Sequence, residues 1–214
     1  MDYLNELLPI IFVSLKVSFT ATFLATLLAI PVGIYVGIGR FRGRELLTTI
    51  LNTLMAVPTV VIGLFLYSLL SRKGVLGNLE LLYTPLAMMM GQCILAFPII
   101  AALIAGGVRN FGDAPLVAVR MLGASRFEST WLFLKEAKLI VMTGVLAGFG
   151  RVFSEIGVSM MRGGNIRFYT RNITTTIALE TSKGEFSLGI ALGIVLMIAA
   201  LLINLVMYYF QKKI

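Results

Sequence analysis

The chain has 214 residues, 58% of them hydrophobic and only 13% charged, with a mean hydropathy of +0.95. Soluble domains carry about a quarter charged residues, so this is a membrane protein, expected to form a single transmembrane domain over residues 1–214 with no room for a soluble catalytic unit. Histidine is absent, the one cysteine (Cys93) lies in an apolar block, and the net charge is +8; this argues against internal disulfides, a metal centre and histidine-based catalysis, and fits polybasic loops at a lipid surface better than nucleic acid.

Five apolar blocks are each long enough to cross a bilayer, which takes about 20 residues. The first covers residues 10–39, is uncharged after Lys16 and contains Pro31. The start Met1-Asp2-Tyr3 lacks a basic n-region, so no cleavable signal peptide is expected. Lys16 is expected to reach the interface by its long stem. The second block, 46–71, has Pro58 near its middle, and the third, 81–108, holds Pro85, Gln92 and Pro98. Pro31, Pro58 and Pro98 are predicted kinks. Gly33-Gly37 in the first block and Gly144-Gly148 in the fourth are spaced to let helices approach closely. The run Met88-Met89-Met90 reads as adaptable packing, since a copper route needs repeated Met with Cys or His beside it.

Between the third and fourth blocks runs the polar segment 109–138. A helix is expected over 114–122, with Asp113 placed to accept from its first free amides. Gly123 suits a left-handed stop. Ser125-Arg126-Phe127-Glu128 has the spacing of a capping box that opens a second helix. Such a bent, ordered unit is a candidate docking surface. The fourth block, 139–161, is interrupted by Arg151 and Glu155, which at i and i+4 meet on one helix face. A charge mid-span costs at least about 2.5–3.5 kcal/mol, so the two either pair to fix packing or line a path, where the Arg151 guanidinium would suit an oxyanion. The segment 162–185 is polar and Thr-rich, with a turn signal at Gly163-Gly164-Asn165; it is either a solvated loop over the helix ends or a docking surface. The fifth block, 186–211, has Asn204 as its strongly polar interior residue.

Loop charges orient the chain. Arg40, Arg42 and Arg44, the segment 109–138 and the tail Lys212-Lys213 put ten basic residues on one side; Arg72, Lys73, Arg162, Arg167, Arg171 and Lys183 put six on the other. The positive-inside rule then places the N-terminus outside and the C-terminus in the cytoplasm. The expected fold is an all-α membrane protein of about five transmembrane helices, with cytoplasmic coupling helices between the third and fourth spans. There is no G-x-x-x-x-G-K-[ST] phosphate loop, no nucleophile paired with a base, and Glu155 is the sole acidic residue within a span. The chain is therefore read as non-catalytic, with no cofactor of its own.

Leu122-Gly123-Ala124-Ser125-Arg126-Phe127 resembles the centre of the EAA loop of ABC importer permeases, in which EAA, three residues, Gly, nine residues and I-x-L-P follow one another. Here the EAA triplet falls on Val117-Ala118-Val119, of which Ala118 matches, and the last positions fall on Phe133-Leu134-Lys135-Glu136, without the proline. Gly150-Arg151-Val152-Phe153-Ser154-Glu155-Ile156-Gly157 resembles the R-x-x-x-E-x-G segment of oxyanion permeases for molybdate, tungstate and sulfate. With Gly163-Gly164-Asn165-Ile166-Arg167, Thr170-Arg171 and Ile177 to Gly184, it is most similar to the tungstate-specific group.

The resemblance implies a homodimer in a prokaryotic cell membrane, two cytoplasmic ATPase subunits that bind the ATP, and an external substrate-binding protein. It places ATPase coupling on Ala118, Leu122, Gly123, Ala124, Ser125, Arg126, Phe127 and Glu128, a pathway or gate at Arg151 and Glu155, and binding-protein contact at Arg162, Asn165, Arg167 and Arg171. A self-sufficient anion channel or secondary carrier, a permease for molybdate or sulfate, and a non-transporting scaffold are the competing readings.

Overall fold

The computed structural model describes residues 2–111, 121, 123, 125, 128, 135 and 137–212, and among them all regular structure is helical. In chain order these are α1 (Asp2–Ile38), α2 (Arg44–Ala56), α3 (Thr59–Leu70), a short 3-10 turn (Gly77–Leu79), α4 (Pro85–Phe111), α5 (Lys138–Phe153), α6 (Gly157–Gly163), α7 (Ile173–Lys183) and α8 (Phe186–Lys212). Three stretches are long and apolar enough to cross a membrane alone: Glu6–Ile38, Pro85–Asn110 and Phe186–Val206. Two bent pairs, α2–α3 and α5–α6, bring the number to five if each pair is one span.

The second and fourth apolar blocks are thus each two helices rather than one. At Pro58 the chain turns by 94°. Proline cannot donate its amide and forces the preceding residue out of the helical region, and Val57 is extended at ψ 129°. Pro31 and Pro98, also expected to kink, lie inside helices that continue through them. The fourth block breaks by 58° over residues 154–156, with no proline there.

α1 and α4 make the central pair, packed along most of their length. Their contact is set by glycine. A Cβ on Gly33 would fall 2.8 Å from Ile104 Cβ and 2.9 Å from the Ala101 carbonyl, and one on Gly37 would fall 2.6 Å from Val108 Cγ1. The same device joins α4 to α5, where a Cβ on Gly148 would fall 2.6 Å from Ile100 Cγ1. Both small-residue pairs therefore do what their spacing predicts. Around them Ala25, Ala29, Ala96, Ile100, Ala101, Ile104 and Val152 form the main buried cluster. Met88 and Met89 are buried against Val17 and Ala21, as packing. α8 lies at the margin and leaves Ile190, Ile194, Met197, Leu201 and Leu202 exposed. Its Asn204 donates to the Ala200 carbonyl at 2.9 Å, satisfying itself on its own helix.

Contacts at the two ends of the bundle sort the loops. At one end Arg44 donates to the last carbonyls of α1, to Val36 at 2.8 Å and to Gly37, and Arg109 pairs with Glu45 at 3.3 Å. At the other end the Tyr83 amide donates to the Arg162 carbonyl at 2.7 Å, and the Ile173 amide donates to Ser14 Oγ at 2.8 Å. The 40–44 cluster and both ends of the 109–138 segment accordingly share one end, and residues 71–84 share the opposite end with 162–173.

Candidate functional site

Two regions are candidates for a functional site: the junction between α5 and α6, and the segment between α4 and α5. At the junction Arg151 and Glu155 meet as their spacing predicts, Nη1 to Oε2 at 2.7 Å, with the Glu155 side chain buried and that of Arg151 44% exposed. Glu155 does more than pair. Its Oε1 accepts from the amides of Gly157 at 2.8 Å and Val158 at 3.3 Å, and its carbonyl accepts from Thr174 Oγ1 at 2.8 Å. A carboxylate at the start of a helix meets free N–H groups and the positive end of its dipole. One side chain therefore ties the end of α5 to the start of α6, and its backbone ties both to α7.

The segment after the junction differs from a solvated loop. Residues 173–183 are helical, and Thr174, Thr175 and Thr176 are buried. Asn172 caps this helix, accepting from the Thr175 amide at 2.8 Å while Thr175 Oγ1 accepts from the Asn172 amide at 3.1 Å. The run Thr174-Thr175-Thr176 is thus buried in the first turn of a short helix, and the Asn172-Ile173-Thr174 triplet is its start.

The four residues assigned to binding-protein contact part company. Arg162, expected on the outer surface, is instead fully buried, its side chain inside the bundle against Gly91 of α4. The reason is local: α6 carries it inward before the left-handed turn at Gly164. Asn165, also left-handed at φ 52°, accepts from Thr175 Oγ1 at 3.0 Å. Arg167 is exposed, lies 4.9 Å from the centre of the Phe168 ring and pairs with Glu6. Arg171 is half-buried beside them, lining a small cleft with Glu6, Ile10, Arg167 and Phe168.

At the same end is an open cavity of about 560 Å³ lined by Tyr67, Leu70, Ser71, Arg72, Lys73, Gly77, Glu80, Leu82 and Tyr83. Its lining includes two basic and two phenolic side chains, and it was not singled out from the sequence. The Tyr67 hydroxyl beside it holds the Tyr83 phenol above its ordinary value. Among the described residues no three His, Cys, Asp or Glu side chains converge in a metal-holding group.

Of the coupling residues, Gly123, Ser125 and Glu128 are described; Ala118, Leu122, Ala124, Arg126 and Phe127, and the expected helix 114–122 apart from Met121, lie outside the described residues. Gly123 has φ 84°, the left-handed stop its position predicts. The capping box is formed: the Ser125 amide donates to Glu128 Oε2 at 2.8 Å and the Glu128 amide to Ser125 Oγ at 3.2 Å. These bonds hold the Glu128 carboxyl below its ordinary range.

The chain matches, over residues 29–214, the family described as binding-protein-dependent transport system inner membrane component. It is 40% identical over 204 residues to a tungstate uptake system permease protein of Peptoclostridium acidaminophilum, covering 95% of this chain and 90% of that one. A tungstate uptake system permease protein of Campylobacter jejuni is 37% identical over 172 residues, covering 80% and 72%. Among solved structures, a chain of the MetNI methionine ABC transporter in inward-facing conformations superposes with a TM-score of 0.81, covering all of this chain and 98% of that one at 16% identity.

Proposed function

The chain belongs to the binding-protein-dependent transport system inner membrane components, the permease subunits of ABC importers, and from that premise we propose that its cargo is a tetrahedral oxyanion, tungstate foremost. The observation that carries the cargo is the 40% identity over nearly the whole chain to a tungstate uptake permease. The chain acts as a homodimer, because five spans barely enclose a path for a hydrated anion. It lacks a phosphate-binding loop, so ATP is bound and hydrolysed by a separate cytoplasmic pair of ATPase subunits, and this chain itself needs no cofactor. The unit of Gly123, Ser125 and Glu128 docks on that ATPase, with Ala118, Leu122, Ala124, Arg126 and Phe127 completing the surface. The opposite end, with Asn165, Arg167 and Arg171, receives the external binding protein. Nucleotide-driven closure then swings the spans as rigid bodies between two access states. Arg151 and Glu155 hold the α5–α6 elbow within that motion.

The test is uptake of labelled tungstate and molybdate in cells lacking the chain. Loss of tungstate uptake, restored by the wild-type chain, is expected; uptake that persists unchanged refutes the reading. Gly123→Asp is expected to leave membrane insertion intact while uncoupling transport from ATP hydrolysis, because an L residue is strained at φ 84°. The two bent pairs favour a second reading, since broken helices also mark secondary carriers. Liposomes holding this chain alone decide it: anion movement without any ATPase subunit favours the carrier.

A further inference from the structure

Arg162 is a buried cation. Its side chain is wholly buried, and Nε, Nη1 and Nη2 all lack a hydrogen-bond partner among the described residues. Removing an arginine from water without pairing it is strongly destabilising, and an apolar side chain of similar volume would fill the space better. Packing alone therefore does not explain the residue. The carboxylate that acts on it electrostatically, Glu155, is already engaged by Arg151 and by the Gly157 and Val158 amides.

The guanidinium lies against a glycine. Gly91 of α4 passes so close to it that no Cβ fits there. The next residue, Gln92, is buried and donates from Nε2 to Ser159 Oγ at 3.4 Å, while its Oε1 has no partner. Ser159 is fully buried and stands on α6 one turn before Arg162. Gln92 follows Gly91 on α4 and Ser159 precedes Arg162 by one turn on α6, so an amide and a hydroxyl stand on the two segments that meet at the guanidinium. A planar fork with auxiliary donors suits the edge of a tetrahedral oxyanion. Gly91 lies six residues after Pro85, about 9 Å along α4 from its first residue. That end of α4 also carries the cavity with Arg72 and Lys73, and Tyr83 joins the two places, its side chain in the cavity wall and its amide on the Arg162 carbonyl.

We infer that Arg162, with Gln92 and Ser159, forms an oxyanion-binding site inside the permease, closed in this conformation by the packing of α6 on α4 and opened when the two segments part. The inference rests on the importer reading and deepens it by naming the group that receives the anion. Because Gly91 lies against the guanidinium, the anion and the α4 backbone there compete for the same face. Binding thus belongs to one access state and release to the other.

The test uses the full complex of permease, ATPase subunits and binding protein in liposomes, with labelled tungstate as probe and anions moved per ATP hydrolysed as the readout. Arg162→Gln is expected to lower that ratio about ten-fold or more, the scale of one lost charge-assisted hydrogen bond, while binding-protein-stimulated hydrolysis continues. Arg162→Lys keeps the charge and loses the fork, and is expected to fall between the two. Should the Gln complex fail to assemble on gel filtration, the Lys complex carries the test alone. An unchanged ratio in the assembled variants overturns the site, as does a parallel fall in hydrolysis and transport, which would mark Arg162 as a partner for Glu155 in coupling. Wild-type liposomes that hydrolyse ATP but move no tungstate, molybdate or sulfate refute the importer reading itself, and the site with it.

Discussion

Glu155→Ala separates a carboxylate that holds the α5–α6 elbow from one that merely accompanies Arg151. The side chain receives three hydrogen bonds: from Arg151 at 2.7 Å, from the Gly157 amide at 2.8 Å and from the Val158 amide at 3.3 Å. The short amide bond to a charged acceptor contributes about 2 kcal/mol and the longer one about 1 kcal/mol. Because Arg151 is 44% exposed, screening limits the ion pair to about 1 kcal/mol. The substitution should therefore cost about 4 kcal/mol, which for a chain of this size lowers the unfolding temperature by about 8–16 °C. Arg151→Ala leaves both amide bonds in place and should cost about 1–2 kcal/mol, or about 2–8 °C. Glu155→Gln keeps one acceptor for the amides and should fall between them. The assay is heating of the detergent-solubilised permease followed by gel filtration of the surviving folded fraction. An Arg151→Ala variant as unstable as Glu155→Ala would refute the elbow, since the ion pair would then outweigh the backbone bonds.

Other outcomes follow from the packing and the loops. Gly33→Ala and Gly37→Ala should each cost about 1–3 kcal/mol by overpacking against Ile104 and Val108, whereas Gly193→Ala, with open space around it, should not lower the unfolding temperature; the same heating assay reads all three. Ser125 holds the Glu128 carboxyl below the ordinary glutamate value of 4.5. A depressed folded value means that the cap's charge contribution is fully present above that ordinary value and is lost only as pH falls through the lower folded one. ATPase docking, measured by co-purification, should thus be flat from about pH 5.5 to 8 if this cap is what docking depends on. In a Cys93→Ala background, Lys135→Cys should react with an impermeant maleimide only from the cytoplasmic side and Lys73→Cys only from outside; labelling of both from one side would overturn the topology.

Legibility in the sequence followed the range of each interaction. The Ser125–Glu128 box, the Gly123 stop and the Arg151–Glu155 pair are local, so three or four residues specify them, and all three have the form their spacing predicts. The glycine pairs were equally readable because one residue in four marks one helix face. The sites that escaped depend on contacts distant in sequence. Nothing within a few residues of Arg162 says that Gly91, some seventy positions earlier, will cover it. The Thr-rich helix after Asn172 was hidden because its buried face mixes Ile173 with Thr174, Thr175 and Thr176, whose hydroxyls reach distant partners such as the Glu155 carbonyl and Asn165. The elbow after Phe153 has neither proline nor a periodicity break to announce it. It exists because a carboxylate folds back on the amides of the next helix.

The right-angle turn at Pro58 has a consequence for the lipid around the protein. α2 and α3 have 13 and 12 residues, so they are about 20 and 18 Å long, and bent by 94° they reach roughly 26 Å from end to end. A typical hydrocarbon core is about 30 Å thick. Taken as one span, the bent pair is shorter than such a core; straightened, at roughly 38 Å, it is longer. Opening or closing that angle therefore changes how much membrane the chain must thin or tolerate, at a cost of fractions of a kcal/mol per Å. Bilayer thickness becomes a coordinate of the transport cycle: in liposomes of graded acyl length, thinner membranes should favour whichever access state keeps the angle at Pro58 sharp. Turnover independent of acyl length would show that the angle stays fixed through the cycle.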